Sequence, residues 1–142
     1  MYRSLADQTT RTLSPFKDTI SQPKDGFRCI AFRDDKDIAL QSKSGQPLER
    51  YFPEVVDALS KLSAKRFVLD GELAIELGGR LDFDALLQRI HPAASRVRKL
   101  SVETPAAYYV FDLLVEDDER VFDMRLEERR ARLQTFAEDN FV

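Results

Sequence analysis

Residues 106–115 are apolar almost throughout, with Asp112 the one charge inside the run. A strand wet on one face alternates apolar with polar residues, whereas an unbroken apolar run asks for cover on both faces. The run therefore reads as a central strand, and the rest of the chain must supply partner strands beside it and helices over it. At 142 residues the chain has the size of one ordinary domain, large enough for a core without disulfide or metal staples.

The sequence supplies both. Residues 27–33 are rich in aromatic and aliphatic side chains, Asp34-Asp35-Lys36-Asp37 makes a polar turn, and residues 38–41 return, which predicts a β-hairpin. Ser42-Lys43-Ser44-Gly45-Gln46-Pro47 is a loop of small and turn-forming residues, long enough to present side chains to a ligand. Pro53 opens a helix carrying Val55, Val56, Leu59 and Leu62 on one stripe. Residues 66–70 and 72–77 read as two strands meeting at Gly71, closed by Gly78-Gly79. Asp82 caps a helix with Phe83, Leu86, Leu87 and Ile90 on a single buried face, ended or kinked at His91-Pro92. A short basic helix is expected over 93–100, and a last helix over about 125–138 with Leu126, Leu133, Phe136 and Ala137 inward and a Glu128–Arg132 pair outward. Residues 1–21 read as an irregular lead-in, which leaves 22–142 as the domain.

Composition narrows the chemistry. One cysteine and one histidine exclude a disulfide framework, a zinc site of the usual kind and any Cys-His or Ser-His signature, so a metal would be held by carboxylates. Cys29, among Phe27, Ile30, Ala31 and Phe32, reads as a small buried apolar side chain. No apolar run has the length of a membrane span and residues 1–14 have no secretory pattern, so no membrane partner is expected and a cytoplasmic setting is the default. A net charge of −3 is not that of a general nucleic-acid binder. Locally, Arg89, Arg96, Arg98 and Lys99 form a basic run that suits phosphate contact or a solvated helix face equally, and Glu116-Asp117-Asp118-Glu119 is an acidic turn that should face water.

Four stations carry groups capable of chemistry: Lys24-Asp25-Gly26-Phe27-Arg28, Ser42-Lys43-Ser44-Gly45, Leu69-Asp70-Gly71-Glu72 and Val110-Phe111-Asp112-Leu113-Leu114. Singly, each has a plain structural reading: a solvated lysine at a turn, a polar loop, a hairpin turn with acids, a core strand ending in an acid. Together and in this order they resemble the nucleotidyltransferase motifs of ATP-dependent DNA ligases of bacterial type. The resemblance runs from about Pro23 to Leu133 and includes Arg50-Tyr51-Phe52-Pro53 and Met124-Arg125-Leu126-Glu127-Glu128-Arg129-Arg130.

The resemblance implies an α+β fold, part of a nucleotidyltransferase (ATP-grasp-like) adenylation domain, with mainly antiparallel sheets lining a nucleotide cleft and helices outside. It implies ATP and Mg2+ as cofactors and nicked double-stranded DNA as partner. Lys24 matches the nucleophile that forms lysyl-AMP and releases pyrophosphate before AMP passes to a DNA 5′-phosphate. Such a lysine attacks only when neutral, so its site must disfavour the charge. Arg28 matches the arginine on the nucleotide, Glu72 the acid that reads a ribose hydroxyl, and Phe111 the aromatic that stacks on adenine, a contact worth roughly 1–3 kcal/mol for bases elsewhere. Asp70 is the carboxylate expected to approach the metal or orient the turn, and Ser42 and Lys43 match a loop that touches DNA.

Two departures accompany the match. The family has one residue between lysine and aspartate, whereas Lys24 and Asp25 adjoin. Alternate residues of an extended chain point oppositely, so restoring the lysine's direction requires a locally tightened turn. The family's later metal-binding glutamate, phosphate-binding lysines and oligonucleotide-binding domain also have no counterpart up to Val142. A partial adenylation domain is therefore expected, with an exposed sheet edge and either modest stability or a tendency to self-associate. The competing readings are a catalytically inactive remnant that keeps an ATP or partner surface, and an unrelated α+β structural domain.

Overall fold

The structure is a computed structural model that describes residues 3–4 and 26–141. Lys24, Asp25 and most of the lead-in expected over 1–21 lie outside the described residues. In chain order the elements are β1 (Arg3–Ser4), β2 (Phe27–Asp34), β3 (Asp37–Ser42), α1 (Pro53–Ser60), β4 (Arg66–Ala74), β5 (Glu76–Leu77), β6 (Arg80–Leu81), α2 (Phe83–Leu87), α3 (Ala94–Glu103), β7 (Ala107–Glu116) and α4 (Leu126–Asn140). Single 3-10 turns at Glu49–Tyr51 and Val121–Asp123 precede α1 and α4. The strands form an antiparallel five-stranded sheet in the order β1-β7-β4-β2-β3, with β5 and β6 a separate ribbon. This is the expected α+β arrangement.

The sheet separates two environments. In the β2–β4 register Ala31 lies opposite Leu69 and Arg33 opposite Phe67, whereas Arg28 lies opposite Glu72 and Ile30 opposite Asp70. Directly paired residues share a face. Cys29, Ala31, Leu69 and Phe67 are buried in one continuous core with Val55 and Leu59 of α1 and Leu133, Phe136 and Ala137 of α4. Phe67 meets Phe136 edge-to-face at 5.3 Å, a favoured aromatic geometry. The opposite face carries Arg28, Asp70 and Glu72.

The 27–41 hairpin and the helix opened by Pro53 form as expected. Arg33, which no sequence pattern flagged, turns inward and donates to the carbonyls of Leu59, Leu62 and Ala64 at 2.9–3.0 Å, satisfying backbone acceptors at the end of α1.

Several expectations are corrected. Residues 66–74 are one strand that runs straight through Gly71, with no turn there. Glycine is required for another reason: a Cβ at this position would collide with the Tyr109 carbonyl oxygen and lie 2.9 Å from Tyr108 Cε1. The Tyr108 ring crosses the buried face, and its hydroxyl donates to the carbonyls of Cys29 (2.8 Å) and Leu69 (3.2 Å). That makes β4 the middle strand, while β7 lies next to it with β1 on its outer side. Its burial alternates, with Tyr108 and Val110 buried and Tyr109 and Phe111 half-buried, so β7 is covered fully on one face only.

Asp82 does cap α2, accepting from the Ala85 amide at 2.9 Å, but the helix ends at Leu87. Of its expected buried stripe Leu86 is inside and Phe83 is half-buried against the core; Leu87 and Ile90 are exposed. Leu126 is likewise exposed. Arg132 reaches Glu116 (2.6 Å) and Glu119 (3.2 Å), and no pair with Glu128 is seen; the acidic turn is thus tied in part to α4. Arg89, placed by sequence in the basic run, is fully buried, so only Arg96, Arg98 and Lys99 of that run face solvent.

Candidate active site

Three neighbouring strands bring Arg28, Asp70, Glu72 and Phe111 together. Arg28 donates from Nε and Nη2 to the two Asp70 carboxylate oxygens at 2.8 and 2.6 Å, and its guanidinium carbon lies 4.9 Å from the Phe111 ring centroid. A forked donor on a carboxylate, flanked by an aromatic face, is held in position and in charge state; Asp70 raises the guanidinium's affinity for its proton.

Phe111 owes its place to an irregularity of β7. Asp70 pairs with Asp112 and Gly71 with Val110, which leaves Phe111 as the extra residue of a β-bulge. A bulge bends the strand and re-aims a side chain. Continued regularly from the Gly71–Val110 pair, the register would set Phe111 directly opposite Asp70; the bulge sets Asp112 there instead.

Glu72 is the electrostatically unusual group. It is 5% exposed, and its Oε2 is buried without a hydrogen-bond partner. Burial pushes its carboxyl above the ordinary glutamate range, with Arg28 opposing and Asp70 reinforcing the shift. A Cβ added at Gly26 would lie 2.8 Å from that oxygen. The glycine thus lets the chain pass against Glu72, and the orphaned acceptor suits a ligand hydroxyl. Asp112, also raised by burial, sits 3.4 Å from Arg129 of α4.

Cys29 is inert by comparison. Burial pushes its thiol up to about 12, and no sulfur neighbour exists among the described residues, as expected for a packed apolar side chain. His91 Nδ1 accepts from the Ala93 amide at 3.0 Å, a local turn contact.

Beside this cluster lies a cleft of about 650 Å³ bordered by Gly26, Arg28, Ser42, Lys43, Arg50 and Tyr51. The expected DNA loop therefore shares this cleft with Arg28, whereas Glu72 and Phe111 do not line it. The Ser42 hydroxyl accepts from the Gln46 amide at 3.0 Å and shapes the loop, while Lys43 is exposed.

The family model described as "ATP dependent DNA ligase domain" matches residues 3–141. The chain belongs to this family. The match begins upstream of Pro23, where the motif resemblance starts, and so takes in residues assigned to the lead-in. Among the ligases it resembles, DNA ligase C of Mycobacterium tuberculosis is 48% identical over 117 residues, and DNA ligase C2 of Mycolicibacterium smegmatis 46% identical over 119. The alignments cover 82% and 83% of this chain but 33% and 34% of those proteins, so it spans about a third of their length. A solved structure, mycobacterial DNA ligase D complexed with ATP and MES, superposes with a TM-score of 0.61 at 23% identity, covering 84% of this chain and 36% of that one. That likeness is one of fold.

Proposed function

We propose that this ligase-family chain forms the nucleotide-binding part of an adenylation domain comprising residues 22–142, which makes lysyl-AMP from ATP for transfer to the 5′-phosphate of nicked DNA during repair or recombination. The carrying observation is the convergence of Arg28, Glu72 and Phe111 around one end of the sheet. Glu72 Oε2 is a buried acceptor without a donor, which a ribose hydroxyl would supply. Phe111 offers an aromatic face for adenine, and Arg28 the guanidinium N–H groups not engaged by Asp70 for ribose or phosphate oxygens.

In the reaction Lys24, as the neutral amine, attacks the α-phosphorus. A P–N bond forms as the bond to the bridging oxygen breaks, pyrophosphate leaves with the electron pair, and the nitrogen releases one proton to solvent. A site that disfavours an ammonium favours this nucleophilic form. Asp70 is the carboxylate proposed for Mg2+. Both its oxygens are engaged by Arg28, and no cluster of three candidate ligands occurs among the described residues, so these residues do not by themselves form a cation site and no step is assigned to the ion. Ser42 and Lys43 would face the DNA. No helix among the described residues is long and apolar enough to cross a membrane, and the proposed setting is the cytoplasm. Self-association through the outer edge of β7, of which β1 pairs with Val110 and Tyr109 among the described residues, belongs to the same proposal and would appear as concentration-dependent size on a sizing column.

A second reading follows from the adjacency of Lys24 and Asp25: a module that binds nucleotide and does not adenylate itself. Incubation with ATP and Mg2+, followed by intact mass, separates the two. An AMP adduct that Lys24→Ala abolishes supports the first. Nucleotide binding with no adduct under any condition supports the second.

A further inference from the structure

Among the described residues, the cleft beside the nucleotide cluster is bordered by three cations, Arg28, Lys43 and Arg50, and by no carboxylate. The local sequence does not announce this, because Glu49 and Glu54 flank Arg50 closely. The fold removes both acids. Glu49 turns to the sheet, where its Oε1 accepts from the Leu40 amide at 2.9 Å. Glu54 turns inward and accepts two charge-assisted bonds from the fully buried Arg89, at 2.6 and 2.8 Å, and one from the Ala106 amide at 2.8 Å.

The same buried arginine fixes the cleft wall. Arg89 Nη2 donates to the Tyr51 carbonyl at 2.8 Å, and Arg89 Nη1 to the Thr104 carbonyl at 3.1 Å, so the 3-10 turn at Glu49–Tyr51 is tied to the end of α3. On that turn the Arg50 guanidinium carbon lies 5.0 Å from the Tyr51 ring centroid, and one Nη2–H points to the Pro92 carbonyl at 3.4 Å. Arg50 forms no ion pair with a described carboxylate, although Glu49 adjoins it. A guanidinium stacked on an anchored tyrosine keeps its outward edge of donors in a fixed plane, the arrangement that suits a phosphate.

From this geometry we propose that Arg50, with Lys43 across the cleft, is a phosphate-binding residue, and that Tyr51 and the buried Arg89 position it. The inference rests on the ligase reading for its expected ligand, the backbone phosphates of nicked duplex DNA. The β- and γ-phosphates of ATP carry the same chemistry, and the measurement distinguishes the two sources.

Binding of the 142-residue chain to a nicked duplex is measured at several salt concentrations, alongside ATP binding, for wild type, Arg50→Ala and Arg50→Lys. Loss of one phosphate contact should weaken the duplex about tenfold and reduce the log–log salt slope by about one. Arg50→Lys should keep the slope and lose severalfold in affinity, because the charge remains while the stacked fork does not. ATP affinity should be unchanged. A loss confined to ATP would support the phosphate site and assign it to the nucleotide. Wild-type affinity and slope for both ligands in a folded Arg50→Ala protein, or no duplex or ATP binding by the wild type, would overturn the inference. Lysyl-AMP formation, read separately by mass, decides the underlying function whichever way Arg50 falls.

Discussion

Arg28 and Asp70, forty-two positions apart, form a bidentate ion pair between neighbouring strands, with Asp70 buried and Arg28 about one-third exposed at its side chain. The pair occupies the carboxylate that the family resemblance offers to a cation. Removing Arg28 would leave Asp70 desolvated and unpaired. Arg28→Ala should therefore destabilise the domain by about 1–3 kcal/mol, less than for a fully enclosed pair because water reaches the guanidinium. Urea titration measures the loss, and Asp70→Asn in the same background should recover most of it.

Glu72 gives a pH dependence of opposite sense to an ordinary salt-bridged acid. Its folded-state pKa is raised by burial, so the folded protein holds the proton to a higher pH than the unfolded chain does. Stability from this group is highest below the unfolded value of about 4.3 and falls as pH rises through the interval up to the folded value. Above that interval the ionised, partnerless Oε2 is a net cost. Glu72→Gln should raise the thermal midpoint at pH 7, the gain shrinking as the pH is lowered towards 4, and should weaken ATP binding by about tenfold if the carboxylate accepts from the ribose. Thermal melts across pH and a nucleotide titration test the two halves separately.

Gly71→Ala tests the close passage of β4 and β7. The added methyl would run into the Tyr109 carbonyl and the Tyr108 ring, neither of which is the free end of a flexible chain. A loss of about 3 kcal/mol or more is expected, measured by urea denaturation, with the near-ultraviolet signal of the tyrosines changing in parallel.

What could be read from the sequence follows from where the determinants are local. The 27–41 hairpin, Pro53 at the start of α1 and the Asp82 cap depend on neighbours within a few residues, and each formed where the pattern placed it. The strand through Gly71 was misread because glycine flanked by acids signals a turn locally, whereas here it answers a contact with a strand nearly forty residues away. Arg89 misled in the opposite direction: its charge matched its basic neighbours, and only the fold reveals the inward carboxylate of Glu54. The assembly of Arg28, Asp70, Glu72 and Phe111 depends on register and on a bulge, neither of which composition or periodicity encodes; it was legible through the ordered resemblance to a family. Arg50 lay within that resemblance without a role, because its flanking glutamates hid the sign of the cleft.

The Arg89–Glu54 pair separates the worth of a buried interaction from the cost of breaking it. Arg89 is fully buried, Glu54 is partly buried, and the two are joined by 2.6 and 2.8 Å bonds under the Phe52 ring. Arg89→Met fills similar space but strands the Glu54 carboxylate and the Tyr51 and Thr104 carbonyls, so it should cost about 3–5 kcal/mol. Adding Glu54→Gln to that variant removes the stranded charge and should recover a substantial part of the loss, although the net Coulombic attraction is absent from both. A double-mutant cycle in urea gives the coupling energy directly. If the double variant is no more stable than Arg89→Met alone, the stranded carboxylate is not the main source of the penalty, and the lost anchoring of the Tyr51 and Thr104 carbonyls is.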